Sequence, residues 1–318
     1  LILFPKCNNI RIEVKNMGYI KVSEAAEKWG ISPRRVRKLC EENRIEGVIR
    51  KGKLYMIPKD ASKPADRRIS RRNFTAVFDD IDRKLKELSS MRPLTEGEVQ
   101  RLREQFLIEY TYNSNAIEGN TLTLQETAMV LQGITIDQKP LKDHLEAIGH
   151  KEAFLYVLDL VQQKVELTES IIKNIHSLVL MDKPNDRGVY RRIPVKIMGA
   201  YHEPPPPYLV EPSMHELMQK HAIRKKSMHI LECLALFHLE FEGIHPFVDG
   251  NGRTGRLILN LELMQNGYPP INIKFRDRRK YYNAFDTYYR DSNAGMMINL
   301  IAKYVNEQLD EYLKILKA

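Results

Sequence analysis

The stretch that decides the reading is residues 245–256, HPFVDGNGRTGR. His245 is a side chain able to take a proton near neutral pH, its ordinary pKa being about 6.5. Phe247 plugs the loop into the apolar layer beneath. Asp249 is a hard oxygen ligand of the kind Mg²⁺ takes alongside phosphate oxygens and water. The run Gly250, Asn251, Gly252 lets the backbone reach positive φ and approach a ligand, so that successive N–H groups converge on an anion. Arg253 and Arg256 then open a helix that continues through Leu257, Ile258 and Leu259. Three residues apart, they share a face beside a helix N-terminus that already favours negative charge. Taken singly, these residues read as a turn and a solvated helix face; together they read as a phosphate site.

The segment matches at every defining position the H-x-F-x-D/E-G-N-G-R-x-x-R signature, and on it the chain resembles the Fic (Fic/Doc) family, whose typical members transfer AMP from ATP to protein hydroxyls. A second motif supports the resemblance. Ser114, Glu118 and Gly119 fit the S/T-x-x-x-E-G/N pattern carried by many Fic proteins as an inhibitory helix, here near residues 110–119. The resemblance implies that Glu118 bridges to Arg256, occupying the guanidinium expected to hold the γ-phosphate and repelling the incoming anion. It implies that His245 deprotonates a Ser, Thr or Tyr hydroxyl of a target protein, which then attacks the α-phosphorus of ATP. Asp249 would hold Mg²⁺ on the α- and β-phosphates, the Gly250 to Gly252 amides and Asn251 would cradle oxygens, and Arg253 and Arg256 would neutralise the β- and γ-phosphates. Tyr282 would border the adenine. Removal of AMP, or transfer of phosphate or phosphocholine, are the alternatives inside the family; a DNA-binding regulator using the helical body as a nucleotide sensor is the alternative outside it. Homodimers are common in the family, but the sequence identifies no interface.

Outward from these motifs, helical periodicity dominates from Phe74 to the end, which predicts a mainly α bundle over 74–318. Phe78, Ile81, Leu85 and Leu88 form one stripe, and further helices are expected at about 96–110, 124–131, 142–160, 169–180, 227–243 and 257–265, with two more after Pro270. One segment interrupts them. Val195, Lys196, Ile197 and Met198, ahead of Gly199, are expected as a short β-hairpin, with Pro204 to Pro207 stiffening its exit. By resemblance this hairpin is a flap that docks the target's backbone by strand addition.

The basic excess lies elsewhere. The 318-residue chain carries a net charge of +9, yet residues 1–73 hold 19 Lys+Arg against 8 Asp+Glu, and the remainder 31 against 33. Within residues 17–60, two short helices are expected, the first N-capped by Ser23 and stopped by Gly30, the second capped by Ser32 with Pro33 at its first position. Val36, Leu39 and Cys40 face inward on the second, leaving Arg34, Arg35, Arg37 and Lys38 outside. A two-stranded wing with Lys51 and Lys53 at its tip completes a resemblance to excisionase-like and MerR-like winged helix-turn-helix modules, which implies DNA as a partner. The other reading of that charge is the solvated face of a small protein-interaction domain. Residues 61–73 read as a linker, and Met17 reads as the natural first residue, with 1–16 an upstream segment.

Composition narrows the remaining classes. No apolar run approaches the roughly 20 residues of a transmembrane helix, so no membrane partner is expected. Cys7, Cys40 and Cys233 are odd in number and scattered, which fits a cytoplasmic location. His144, His150, His176 and His202 lack zinc spacing.

Overall fold

A computed structural model describes residues 18–41, 44–45, 47–52, 54–64 and 67–317. Residues 1–16 and Lys53 lie outside the described residues. The chain divides into two compact units, Leu1–Asp66 and Arg67–Ala318.

In the first unit, strand β1 (Tyr19–Lys21) runs directly into α1 (Val22–Trp29), followed by α2 (Pro33–Glu41) and the strands β2 (Ile49–Lys51) and β3 (Leu54–Pro58). Gly30, at φ 62°, stops α1 in the left-handed region, where a Cβ is disfavoured. Ser32 Oγ accepts the Arg35 N–H and caps α2. Ser23 does not cap α1. Because the chain enters the helix straight from β1, Lys21 stands at the cap position and Ser23 falls inside the first turn. The strands form an antiparallel sheet in the order β1-β3-β2, with Ile20 opposite Ile57 and Arg50 opposite Tyr55. Ala26, Trp29, Val36, Leu39, Cys40 and Ile57 close its core.

The second unit is all helix: α3 (Arg67–Ser90), α4 (Glu96–Ile117), α5 (Leu124–Leu131), α6 (Leu141–Gln162), α7 (Glu169–Val179), α8 (Val210–Lys225), α9 (Ile230–Ile244), α10 (Asn251–Gln265), α11 (Arg278–Asp291) and α12 (Gly295–Lys317). Reciprocal Ser/Thr–Glu capping boxes start α4 (Thr95 and Glu98) and α5 (Thr123 and Glu126). Helix α3 begins seven residues before Phe74, so residues 67–73 are its first turns rather than linker. Arginine is a good helix former, and a polar run need not be a loop.

Helices α9 and α10 lie between two apolar layers. Leu234 and Leu239 of α9, with Leu259 and Leu263 of α10, pack with α3, α11 and α12. Phe237 and Phe241 of α9, with Leu257, Ile258 and Leu261 of α10, pack with α6, α7 and α8. A helix buried all round must be apolar all round, so the charged groups on α10 have been placed inside against that rule. Arg253 and Arg256 are 1% and 2% exposed.

The segment expected as a hairpin does not form one. Among the described residues, 191–200 contain no strand; Ala200 N–H donates to the Ile197 carbonyl across a turn with Gly199 at φ 77°. Pro194 supplies no N–H for a ladder, and the Arg191 side chain instead collects the carbonyls of Ile193 and Pro205. Met198 stands 93% exposed at the tip.

Candidate active site

Helix α9 ends at His245, whose backbone turns left-handed at φ 49° and ψ 60°. Its Nδ1 lies 3.3 Å from the Glu242 carbonyl oxygen, and a carbonyl only accepts, so Nδ1 carries the proton. Nε2 is thereby left as the basic nitrogen. Burial pushes the imidazole below its usual range, with the carbonyl contact opposing, and the ring stays neutral near pH 7.

The loop that follows is held from several directions. Asn251 clamps it, its Oδ1 accepting the Phe247 N–H and its Nδ2 donating to the Phe247 carbonyl, each at 2.9 Å. The Asn251 side chain thus serves the loop through both its amide atoms. Gly250 N–H donates to Asp249 Oδ1 at 2.6 Å, so this amide also serves the loop. The N–H groups of Asn251, Gly252 and Arg253 remain at the start of α10, where the helix offers them no acceptor.

Asp249 Oδ2 meets Lys183 Nζ at 2.6 Å, and Oδ1 meets Arg253 Nη2 at 3.3 Å. Burial alone would raise its pKa, but Lys183, Arg253 and the Gly250 N–H together hold it at about 2. Arg253 Nη1 lies 3.1 Å from Glu146 Oε1 on α6. Beneath the loop His176 of α7 stacks on Phe247, with ring centroids 3.6 Å apart. Its Nδ1 accepts the Gly188 N–H, so Nε2 carries the proton and donates it to the Asp249 carbonyl at 2.9 Å. Burial lowers its pKa to about 4, which keeps that tautomer neutral.

All three nitrogens of Arg256 are engaged. Nη2 donates to Glu118 Oε1 and to the Ser114 carbonyl, both at 2.8 Å; Nε donates to Ser114 Oγ at 3.0 Å; Nη1 donates to the Tyr281 hydroxyl at 3.3 Å. Burial works against its charge, but Tyr281 and Glu118 outweigh that and raise its pKa. Glu118 is the C-cap of α4, and Gly119 leaves the helix at φ 93°. Gly252 makes the approach possible: a Cβ there would stand 2.1 Å from Glu118 Oε1.

The sequence profile of the Fic/DOC family matches residues 166–263, which span α7 to α10. The chain carries a Fic/DOC-family domain. It is 36% identical over 247 residues to the protein adenylyltransferase Fic of Nematostella vectensis, an alignment covering 74% of this chain and 56% of that protein. To the Drosophila virilis protein of the same name it is 35% identical over 239 residues, covering 73% and 48%. The chain thus spans about half the length of these relatives. Among solved structures, a Fic domain containing signaling protein from Bacteroides thetaiotaomicron superposes with a TM-score of 0.67 at 27% identity, covering 76% of this chain and 97% of that one. Fic-1 from C. elegans gives 0.68 at 26%, covering 79% and 73%.

Several groups of the Fic domain were invisible to motif reading. Lys183, Glu146, His176 and Tyr281 reach the site from other helices and loops. Arg191 is the most heavily used: Nε donates to the His245 carbonyl at 2.8 Å, Nη2 to the Pro205 carbonyl at 2.6 Å, and its N–H to the Pro246 carbonyl at 2.9 Å. Replacing it by alanine leaves buried carbonyls without donors, and denaturant unfolding is expected to show a loss of about 2–5 kcal/mol; a change below about 0.5 kcal/mol contradicts this role. Tyr282 donates its hydroxyl to the Ile117 carbonyl at 2.8 Å, which places it against the end of α4 beside Glu118. In the N-terminal unit Arg34, Arg37 and Lys38 of α2 are exposed and Arg35 is half-buried, whereas Val36 and Leu39 are buried, and Lys51 ends β2.

Proposed function

We propose that the protein is an adenylyltransferase that moves AMP from ATP to a Ser, Thr or Tyr hydroxyl of a target protein or of itself, and that Glu118 holds it back. One observation carries this reading: a neutral imidazole with bare Nε2 stands beside a helix start whose amides and two buried arginines suit a polyphosphate. Related proteins bearing the name protein adenylyltransferase support it. The hydroxyl proton passes to His245 Nε2 as the target oxygen bonds to the α-phosphorus; the bond from that phosphorus to the bridging oxygen breaks, and pyrophosphate leaves. Catalysis is then positioning and charge stabilisation.

The residues fit a Mg²⁺ ion. Asp249 is ionised, and Lys183, 36% exposed, already sets a positive charge against its Oδ2. One carboxylate with nucleotide oxygens and water meets what Mg²⁺ requires. When bound, the metal neutralises charge on the transferring phosphate. The turn at 195–199 is the target-docking element in this reading. Among the described residues no hydrogen bond engages the backbone of 194–196, which leaves N–H and C=O groups to pair with an extended peptide.

For the N-terminal unit we infer DNA as the partner, on the exposed basic side of α2 and the adjoining hairpin. Affinity for duplex DNA is expected to fall steeply, about 10³-fold or more for six or so phosphate contacts, between about 50 and 200 mM salt. It is expected to vanish when residues 17–60 are deleted; salt-independent binding, or binding that survives the deletion, contradicts the assignment.

A further inference from the structure

We propose that Glu242 is a positioning residue for His245, orienting its Nδ1–H and stabilising the imidazolium formed when the target hydroxyl loses its proton. The proposal rests on the transfer reading above for its role in turnover, and on geometry for its existence. Glu242 lies one turn before His245 on α9, with Oε2 4.0 Å from Nδ1. The only hydrogen bond that Nδ1 makes among the described residues is the long one to the Glu242 carbonyl, so the imidazole is held weakly on that side.

One oxygen of the carboxyl is left without a structural partner among the described residues. Glu242 is buried, and its Oε1 has no hydrogen-bond partner among the described residues. Leaving such an oxygen unpaired costs about 1–3 kcal/mol, a cost that a purely structural site would avoid with an apolar residue. Room for it is provided across the helix pair: a Cβ on Gly255 of α10 would sit 2.6 Å from Oε1 and 3.0 Å from His238 Cε1. His238 Nδ1 lies 3.2 Å from that same position, against the Gly255 backbone, so the pocket beside Gly255 holds the unpaired Oε1 and one edge of the His238 ring.

The groups around Glu242 set when it is charged. On its own helix His245 Nδ1 lies 4.0 Å from its Oε2 and His238 borders the same Gly255 position, and from α10 comes the charge of Arg256. Glu118 faces it from the end of α4, and Tyr281, Tyr282 and Tyr289 from α11. Burial, reinforced by the Glu118 charge and opposed by Arg256, raises its carboxyl to about 8. Below that pH the group is neutral, and above it an anion stands next to Nδ1–H, favouring the imidazolium. Base strength therefore rises with pH through the ionisation of Glu242. Removing Glu118 removes one of the two raising influences and moves the ionisation to lower pH. The carboxylate that occupies Arg256 thus also keeps the base weak.

Two measurements decide the matter, and one does not need turnover. In NMR titration of the His245 ring C–H, assigned by its loss in His245→Ala, the unsubstituted protein is expected to show a second inflection near pH 8 beyond the ring's own. That inflection is expected to disappear in Glu242→Gln, persist in Glu242→Asp, and shift to lower pH in Glu118→Gly. In the Glu118→Gly background, Glu242→Gln is expected to lower kcat about 10- to 100-fold above the inflection and to flatten the pH profile, with the KM for ATP unchanged within about twofold. Superimposable titrations for the parent and Glu242→Gln overturn the proposal, whatever the activity. A Glu118→Gly parent that transfers nothing overturns the adenylyltransferase reading instead, and the titration still decides Glu242.

Discussion

Replacing Glu118 by glycine is expected to raise self-labelling by ATP carrying its label on the α-phosphate about 10- to 100-fold. The size follows from what the contact is. Arg256 is buried and gives Glu118 a charge-assisted hydrogen bond of 2.8 Å. Such a bond contributes about 1.5–3 kcal/mol, and an anionic phosphate must displace it to use the guanidinium. Removing the competitor returns that free energy to the nucleotide, which is a factor of about 10 to 100 in a rate or affinity. Arg256 keeps its place without Glu118, because Ser114 and Tyr281 still accept from its other N–H groups. The gain should accordingly appear as productive ATP binding with little loss of stability. A rate equal to that of the unsubstituted protein contradicts the inhibitory contact.

His245→Ala, made in the Glu118→Gly protein, is expected to abolish labelling while nucleotide binding remains. General-base catalysis supplies about 10²–10⁴ in rate, so the loss should reach the detection limit. Binding should survive because the amides of α10, Arg253 and Arg256 are held by contacts that do not involve the imidazole: Asn251 to Phe247, Arg253 to Glu146, and Arg256 to Ser114. Calorimetry with a non-hydrolysable ATP analogue checks this separately. Retained labelling removes His245 as the base; lost binding shows that the histidine shapes the loop.

The sequence carried the site further than it carried the surroundings. Residues 245–256 are contiguous, and the chemistry of a base, a carboxylate, a glycine turn and two arginines is local, so it reads directly from the chain. The Glu118 to Arg256 contact spans 138 positions, and it came from a paired motif, since no periodicity links the two. Lys183 and His176 meet Asp249 across 66 and 73 positions with no motif to announce them. Glu242 had a local signal, a carboxylate one turn before the histidine, but on a helix that reads as amphipathic it passes for a surface residue. The fold shows the same division. The helices of the Fic domain follow from apolar spacing, whereas β1 is three residues long and too short for alternation to mark it. The hairpin at 195–198 failed for the opposite reason: its Val-Lys-Ile alternation is strand-like, but Pro194 and the carbonyl-gathering Arg191 settle the backbone differently.

The central claim is transfer of AMP restrained by one buried arginine contact. Its most direct test is intact-mass measurement of the Glu118→Gly protein and the unsubstituted protein after incubation with ATP and Mg²⁺. A mass increment of one or more adenylyl groups on the Glu118→Gly protein, scarce on the unsubstituted one and absent on Glu118→Gly with His245→Ala, is the predicted result. Increments matching phosphate, equal adenylylation with and without Glu118, or no adduct on the Glu118→Gly protein or on lysate proteins incubated with it would contradict it.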